Sequence, residues 1–374
     1  MKSLRTLLGN IASAAPPIGV DFAARRLHML QLEPGSEPGS EPGQAPLVRA
    51  AASVAYPVER SRLLADARLL KRFVREALAA APFSGRRVVA ALAPAEVRML
   101  PLTVHVPAGQ SEQQAVAKAV RDQLGGAAGE SVVDYYKVRS VDASSPEKQM
   151  LAAVASSAGV LAYLEALRGA GLEPVALDVG PAAIARVLAA MLDDFEQAVL
   201  LINFGVHKSY LTVVWGRRLM LDREIDFSES QLVDKLARAL GLSAEVALGL
   251  LREHGIGAPA RAAPHSASPH ADIGRTIREI LYHEVAALAE ELVRTQVYVA
   301  SRTRGSALSR VYLNGSVARY AHMRDRVEEL VRLPVEVLDP FKALRTAPNF
   351  APCTNIERGI ALAAGLALRG REHG

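Results

Sequence analysis

The pattern that most constrains this chain is one it uses twice. Residues 18–22, IGVDF, lead through a bend into RRLHMLQLE and then PLVRAAASVAYP, three short apolar stretches in meander order. At Ala198 the same plan restarts: AVLLINFG, a Gly bend, KSYLTVVW, a turn at Trp215-Gly216-Arg217, and LMLDREI. β-branched and apolar runs of this length, bounded by Gly and charged residues, predict strands. A restart at mid-chain predicts two related lobes. A chain of 374 residues has room for both, each with its own core.

Between and after the meanders the pattern alternates helix and strand. Leu63, Leu64, Leu70, Phe73, Val74 and Leu78 share one helical stripe and predict a helix over 61–81, followed by strands in RRVVAALAP and EVRMLPLTVHVP. Ser111 and Gln114 form a capping-box pair opening a helix. SVVDYYKVRSV and KQMLAAVASS read as strands, and 158–179 as helix, Gly stop and strand. Past the second meander come two short helices, a Pro/Ala/His/Ser linker near 257–269, a long helix from about 273 to 302, a strand ending in Asn-Gly-Ser, and a closing Ala/Gly-rich helix.

Composition narrows the function classes. Half of the residues are hydrophobic, 5% are aromatic and 22% charged, as in a packed α/β protein. The net charge of +5 permits contact with nucleic acid or an anionic membrane, but no aromatic-basic stripe accompanies it, so no nucleic-acid partner is expected. The single cysteine, Cys353, excludes an intrachain disulfide and any Cys-rich metal site and points to a reducing compartment. No apolar run reaches the roughly 20 residues a membrane span needs. The first residues imitate an export signal, but Gly9 and Asn10 interrupt the apolar stretch; Leu4, Leu7, Leu8 and Ile11 instead form the stripe of a short surface helix. His254, His265, His270 and His283 lack metal-ligand spacing, so no metal site is expected. No Ser-His-Asp nucleophile motif occurs.

Taken together, IGVDF with LHMLQL, the segment SSAGVLAYLEALRGAGLEPVALDVGPAAIARVL, LLINFGVHKSYLTVVWGRRLMLDREI, and VYLNGSVARYAHMRDRVEELVRLPVEVLDPFKAL resemble, in order, the actin-like ATPase superfamily. Within it they are similar to the PilM proteins of type IV pilus assembly, relatives of FtsA. The resemblance implies an α/β fold of two ribonuclease-H-like lobes with an inserted subdomain. It divides the chain into an arm (1–16), a first lobe (17–197, insertion at 88–157) and a second lobe (198–374), whose closing helix at 355–370 packs back on the first. It also implies a cleft for ATP and Mg²⁺, in which backbone N–H groups of the Gly bends meet phosphate oxygens and carboxylates position the metal.

Against that pattern the chain departs repeatedly. The first bend, after Asp21, carries Ala23 and Ala24 where Gly and a hydroxyl residue are implied. Asn203 stands where an Asp is implied beside Gly205, and the third bend keeps Gly315 but has Ser316 for a second glycine. Ser228 and Glu229 replace paired glycines, and Leu248 and Leu251 replace the nucleoside-binding Glu and Lys. Asp178 matches the acid that orients catalytic water, although with Asn203 opposite it a helix cap is the expected role. Each lost contact costs about 1–3 kcal/mol. The expectation is therefore a vestigial nucleotide cleft with no cofactor, ATP and Mg²⁺ remaining the ligands if the cleft still works.

The implied role is a cytoplasmic scaffold, peripheral to the inner membrane, that docks the tail of a PilN-type membrane protein and contacts pilus motor proteins. Leu92, Val97, Met99 and Leu102 are the candidate partner wall. The alternatives are an active ATPase, a sugar-kinase-like phosphotransferase of the same superfold, or a type II secretion component. Arg25 and Arg26 read as a solvated strand end and Tyr135-Tyr136 as core and edge. The tandem Glu-Pro-Gly-Ser repeat at 33–44 has no core-forming residues and reads as a surface loop between two strands. Because loop-closure cost grows by only about 0.6 kcal/mol per doubling of length, replacing 33–44 with a two-residue turn is expected to leave the melting temperature nearly unchanged; a drop of many degrees in a thermal scan would mean that the repeat packs on the body.

Overall fold

A computed structural model of the chain describes residues 15–33, 45–107, 109–125, 130–139, 147–192, 194, 196–256, 269–303, 305, 307–347, 350 and 358–372. The amphipathic N-terminal stripe, most of the Glu-Pro-Gly-Ser repeat, His265 and Cys353 lie outside them, as does the side chain of His270.

In chain order, strands β1 (Ile18–Phe22), β2 (Arg26–Leu32) and β3 (Leu47–Ala55) precede helices α1 (Arg60–Ala65) and α2 (Ala67–Ala79) and strand β4 (Arg87–Leu92). There follow β5 (Val97–His105), α3 (Glu112–Leu124), β6 (Ser131–Lys137), β7 (Glu147–Ser156), α4 (Ser157–Gly169), β8 (Glu173–Val179) and α5 (Gly180–Met191). The second half has β9 (Ala198–Phe204), β10 (Ser209–Trp215), β11 (Arg218–Ile225), α6 (Glu229–Leu240), α7 (Ala244–His254), α8 (Pro269–Ile280) and α9 (Tyr282–Arg302). It closes with β12 (Leu308–Gly315), α10 (Met323–Val331), β13 (Val335–Val337), β14 (Arg345–Thr346) and α11 (Ala361–Glu372).

The repeated plan of the sequence becomes a repeated sheet. One sheet runs β14-β3-β2-β1-β4-β8 and another β11-β10-β9-β12-β13. In each, the first strand of the meander is antiparallel to the second and parallel to the strand that follows the crossover. A separate sheet, β5-β7-β6, is covered by α3, with Leu100, Leu102, Val104, Val116, Val120 and Met150 in its core. The chain forms two compact units, one of residues 1–96, 157–187 and 340–374, the other of Val97–Ser156 and Leu188–Asp339.

In the first unit, one sheet face buries Ile18, Val20 and Phe22 against Leu70, Phe73 and Val74 of α2 and Leu167 of α4. The other face meets α11 and α5 through Val89, Ala91, Ala183 and Leu366, and at Gly19 the strand touches the helix directly. A β-carbon at Gly19 would stand 2.0 Å from the Ala363 carbonyl and 2.5 Å from the Ala367 amide of α11. A strand and a helix can approach this closely only where both offer hydrogen or methyl groups, hence the Ala and Gly content of α11. In the second unit Leu200, Ile202, Phe204, Leu211 and Val213 pack against Leu232 and Leu236 of α6 and Leu288 and Leu292 of α9.

Three segments differ from the sequence reading. The helix predicted over 61–81 is two helices, because Asp66 leaves the helix and accepts from the N–H groups of Arg68 and Leu69 as the cap of α2. The helix predicted from 273 breaks at the fully buried Leu281, separating α8 from α9. The insertion does not begin at Val88: β4 pairs parallel with β1 and β8 inside the six-stranded sheet, so the separate sheet starts at Val97. An apolar run such as VVAAL suits any central strand, and its sequence does not say which sheet receives it.

Gly19→Ala is expected to destabilise the protein by more than about 3 kcal/mol, because backbone on both sides must move to admit one methyl group. Urea unfolding measures this, and a wild-type midpoint would show that α11 shifts freely.

Candidate functional site

The first bend lies between β1 and β2. Asp21, at the end of β1, is buried, and burial pushes its pKa up to about 7 against the opposing pull of Arg60. The carbonyls after it are occupied from within the chain: Arg60 Nε donates to Phe22 at 2.8 Å and the Tyr56 hydroxyl to Ala23 at 2.9 Å. Tyr163 meets Phe22 edge-on, its own hydroxyl buried without a hydrogen-bond partner. Ala24 and Arg25 are exposed, and Arg26 reaches back to the Ser53 carbonyl.

Asp178, at the end of β8, is held by two guanidinium groups, Arg186 of α5 at 2.7 Å and Arg369 of α11 at 3.1 Å. Arg369 also donates to the Leu177 carbonyl and Arg186 to that of Gly365. The carboxylate accepts the N–H of Val179 as well, but its main work is to tie β8 to the two helices rather than to cap one.

In the second unit the ends of β9 and β12 lie side by side, and Asn314 donates its amide to Asn203 Oδ1 at 3.0 Å. The glycines beside them answer to packing. A β-carbon on Gly205 would lie 2.1 Å from the Lys208 carbonyl; on Gly315, whose φ is +93°, it would lie 1.9 Å from that of Phe204. Both bends therefore need glycine whether or not a ligand binds. The Ser316 hydroxyl is buried with no partner. Ser228 caps α6, and the buried Glu229 accepts the Tyr320 hydroxyl at 2.7 Å. Leu251 is fully buried in the core and Leu248 packs on it, so this stretch of α7 serves the core.

Strand register places Glu224, Tyr210, Asn203 and Asn314 in one row across this sheet, and Asp222, Thr212, Leu201 and Tyr312 two positions along, in the next row on the same face. Asp222 accepts the Thr212 hydroxyl at 2.7 Å, yet burial pushes its pKa up to about 7. Among the described residues no group of three or more His, Cys, Asp or Glu is placed to hold a metal ion. His254 lies in the last turn of α7 and His283 in the first of α9.

The candidate partner wall does not stay together. Leu92 belongs to β4 in the six-stranded sheet, whereas Val97, Met99 and Leu102 lie on β5. On β5, Leu102 points with Leu100 and Val104 into the core under α3, and the half-buried Val97 and Met99 face the other way. Val132 of β6, cross-paired through Ala155 to Val97, is exposed on that same face.

Tyr56, Arg60, Arg186 and Arg369 are the polar partners that the sequence reading missed. Each sits in an ordinary helix or strand end, and nothing local marks an arginine whose partner lies nearly two hundred positions away. The only visible signal was the acids themselves, Asp21 and Asp178, which a buried strand end does not carry without a partner.

The family model described as type IV pilus assembly protein PilM matches residues 19–260. Among solved structures, the PilM–PilN type IV pilus biogenesis complex aligns with a TM-score of 0.72 at 22% identity, covering 95% of this chain and 98% of that one. MreB 5 of Spiroplasma citri bound to AMPPNP aligns at 0.47 and 11%, covering 96% and 97%; ethanolamine utilization protein EutJ from Carboxydothermus hydrogenoformans aligns at 0.45 and 14%, covering 96% and 93%. The first shows the fold, an α/β architecture with a repeated sheet, and the other two carry no argument. No curated protein sequence matches.

Asp222 gives this half a pH dependence. A carboxyl whose pKa is raised on folding lends stability that is full below about pH 4 and is lost as pH rises to about 7. Asp222→Asn keeps an acceptor for Thr212 and removes the ionisation. It is expected to unfold like the wild type at pH 4 and to be more stable by roughly 1–4 kcal/mol at pH 8, as denaturant titrations at both pH values will show.

Proposed function

Since this chain belongs to the type IV pilus assembly protein PilM family, we propose that it is an assembly component that docks the cytoplasmic tail of a PilN-type membrane protein. On this reading the chain works at the cytoplasmic face of the inner membrane, held there by its partner, and passes contacts on to pilus motor proteins. The observation that carries the reading is the family match over residues 19–260. The solved relative was captured as a complex of PilM with PilN, which supports the choice of partner. Among the described residues no helix is long and apolar enough to cross a membrane.

Nucleotide chemistry is weak or absent in this proposal. A metal–phosphate group asks for N–H and hydroxyl donors around its oxygens and for carboxylates available to metal-bound water. Here the first bend offers Ala23 and Ala24, Asp178 is taken up by Arg186 and Arg369, and the second and third bends end in amides bonded to each other. These residues do not fit the group. For the tail, the fitting surface is the face of the three-stranded sheet turned away from α3, where Val97, Met99 and Val132 lie. An extended apolar segment can lie across such a face or pair with its edge.

Calorimetry tests both parts. A synthetic cytoplasmic tail of a PilN-type protein from the same organism is expected to bind, and Val97→Asp or Met99→Asp to weaken it at least tenfold, about 1.4 kcal/mol, without lowering the melting temperature. Absence of tail binding would sink the docking role, and unchanged binding by both variants would move the site. For ATP with Mg²⁺ no dissociation constant below about 10 μM is expected; a tighter one would restore the enzymatic reading.

A further inference from the structure

The hairpin tip between β10 and β11 is built under constraint. Gly216 and Arg217 both have positive φ, 57° and 63°, a backbone region that disfavours a residue with a β-carbon such as Arg217. The tip is held there by its surroundings. Arg217 donates to the Leu192 carbonyl from Nε at 3.1 Å and from Nη2 at 2.6 Å, and the Gly216 N–H donates to the Gln197 carbonyl. What this fixes is Trp215, which is 3% exposed and whose indole N–H has no hydrogen-bond partner. The ring has been placed for its face, at the expense of its only donor.

Over that face lies Arg139, its guanidinium carbon 4.5 Å from the ring centroid, and Arg139 Nη2 pairs with Glu196 Oε1 at 2.5 Å. Arg139 comes from the other part of the same unit, just past β6. Its neighbour Val138 packs on the core of the five-stranded lobe, and β5 runs against β11. Both chain connections of the Val97–Ser156 segment, at Glu96 and Ser157, lead to the other unit. Covalent continuity therefore does not hold this sheet to residues 188–339; side chains do.

We propose that Arg139, stacked on Trp215 and paired with Glu196, is a latch that fixes the inserted three-stranded sheet to the lobe of residues 188–339, so that the two answer a bound partner as one body. The chemistry suits a latch that opens. A cation over an aromatic face is strengthened by the burial of the ring, whereas Glu196 is 67% exposed at its side chain and its ion pair is weakened by salt. The inference rests on the docking reading only for what the sheet binds; the latch itself is tested without any partner.

Trp215 is the only tryptophan of the chain, so its fluorescence reports on the latch directly. In the full chain, Arg139→Ala is expected to at least double the acrylamide quenching constant of the tryptophan and to shift its emission to the red. Amide hydrogen exchange is expected to quicken about tenfold in 131–137 and at the hairpin 214–219, with exchange in β1 and β4 unchanged. Arg139→Lys, which keeps the charge and the pair, is expected to lie near the wild type. Glu196→Gln, which changes a side chain that is 67% exposed and so serves if the alanine variant fails to fold, is expected to give an intermediate quenching constant. Quenching and exchange equal to the wild type in both Arg139→Ala and Glu196→Gln would overturn the proposal, as would acceleration spread evenly over the whole chain.

Discussion

The contact on which the first lobe depends is backbone against backbone. Gly19 brings β1 within touching distance of α11, and on the helix side Gly365 comes as close to Ala183 of α5, where a β-carbon would stand 1.9 Å from a carbonyl oxygen. Because no side chain separates these elements, their spacing is set by main-chain atoms and leaves little slack. The salt bridges follow from it. Arg369 reaches Asp178 because α11 lies against the sheet, and Arg186 reaches it because α5 lies against α11. Small residues fix the distance, and the two half-buried arginines on the buried Asp178 fix the register along the helices.

The acids buried elsewhere tell a related story. Asp178 and Glu229 each have a defined donor within the chain, two arginines for one and a tyrosine hydroxyl for the other. Asp222 has the Thr212 hydroxyl and Asp21 the pull of Arg60, yet burial outweighs both and raises each pKa to about 7. A carboxyl whose environment favours the protonated form is a poor permanent ligand for a cation, since binding must first remove its proton. The retained glycines point the same way, because Gly205 and Gly315 are required by carbonyl oxygens that would otherwise collide. Glycine-rich bends on this architecture are thus no evidence, by themselves, for phosphate binding.

How much of this could be read in the sequence varied with the range of the interaction. The doubled meander was legible because strand periodicity and turn residues are local, and IGVDF and AVLLINF carry them without ambiguity. The capping box at Ser111 and Gln114 was legible for the same reason and is present with both of its hydrogen bonds. The break at Leu281 was not, since an apolar residue continues the helical stripe whether or not the backbone does. The boundary at Val97 was missed because sheet membership is decided by pairing partners far away in the chain. In the candidate site, the bends and the acids were visible, whereas Arg60, Arg186, Arg369 and the face that Leu102 turns to the core were matters of tertiary placement.

The position of α11 in the chain has a consequence for how the protein is made. This helix covers one face of a sheet whose central strand is the first element described, yet it follows every other described element in the chain. Until it emerges from the ribosome, β1, β2 and β4 present a bare apolar surface around Gly19. The five-stranded lobe, by contrast, is composed of consecutive residues from Ala198 to Val337 and can close while synthesis continues. The newborn chain therefore holds an unfinished first half beside a finished second one, and the interval before α11 docks is when a holdase chaperone has a surface to bind.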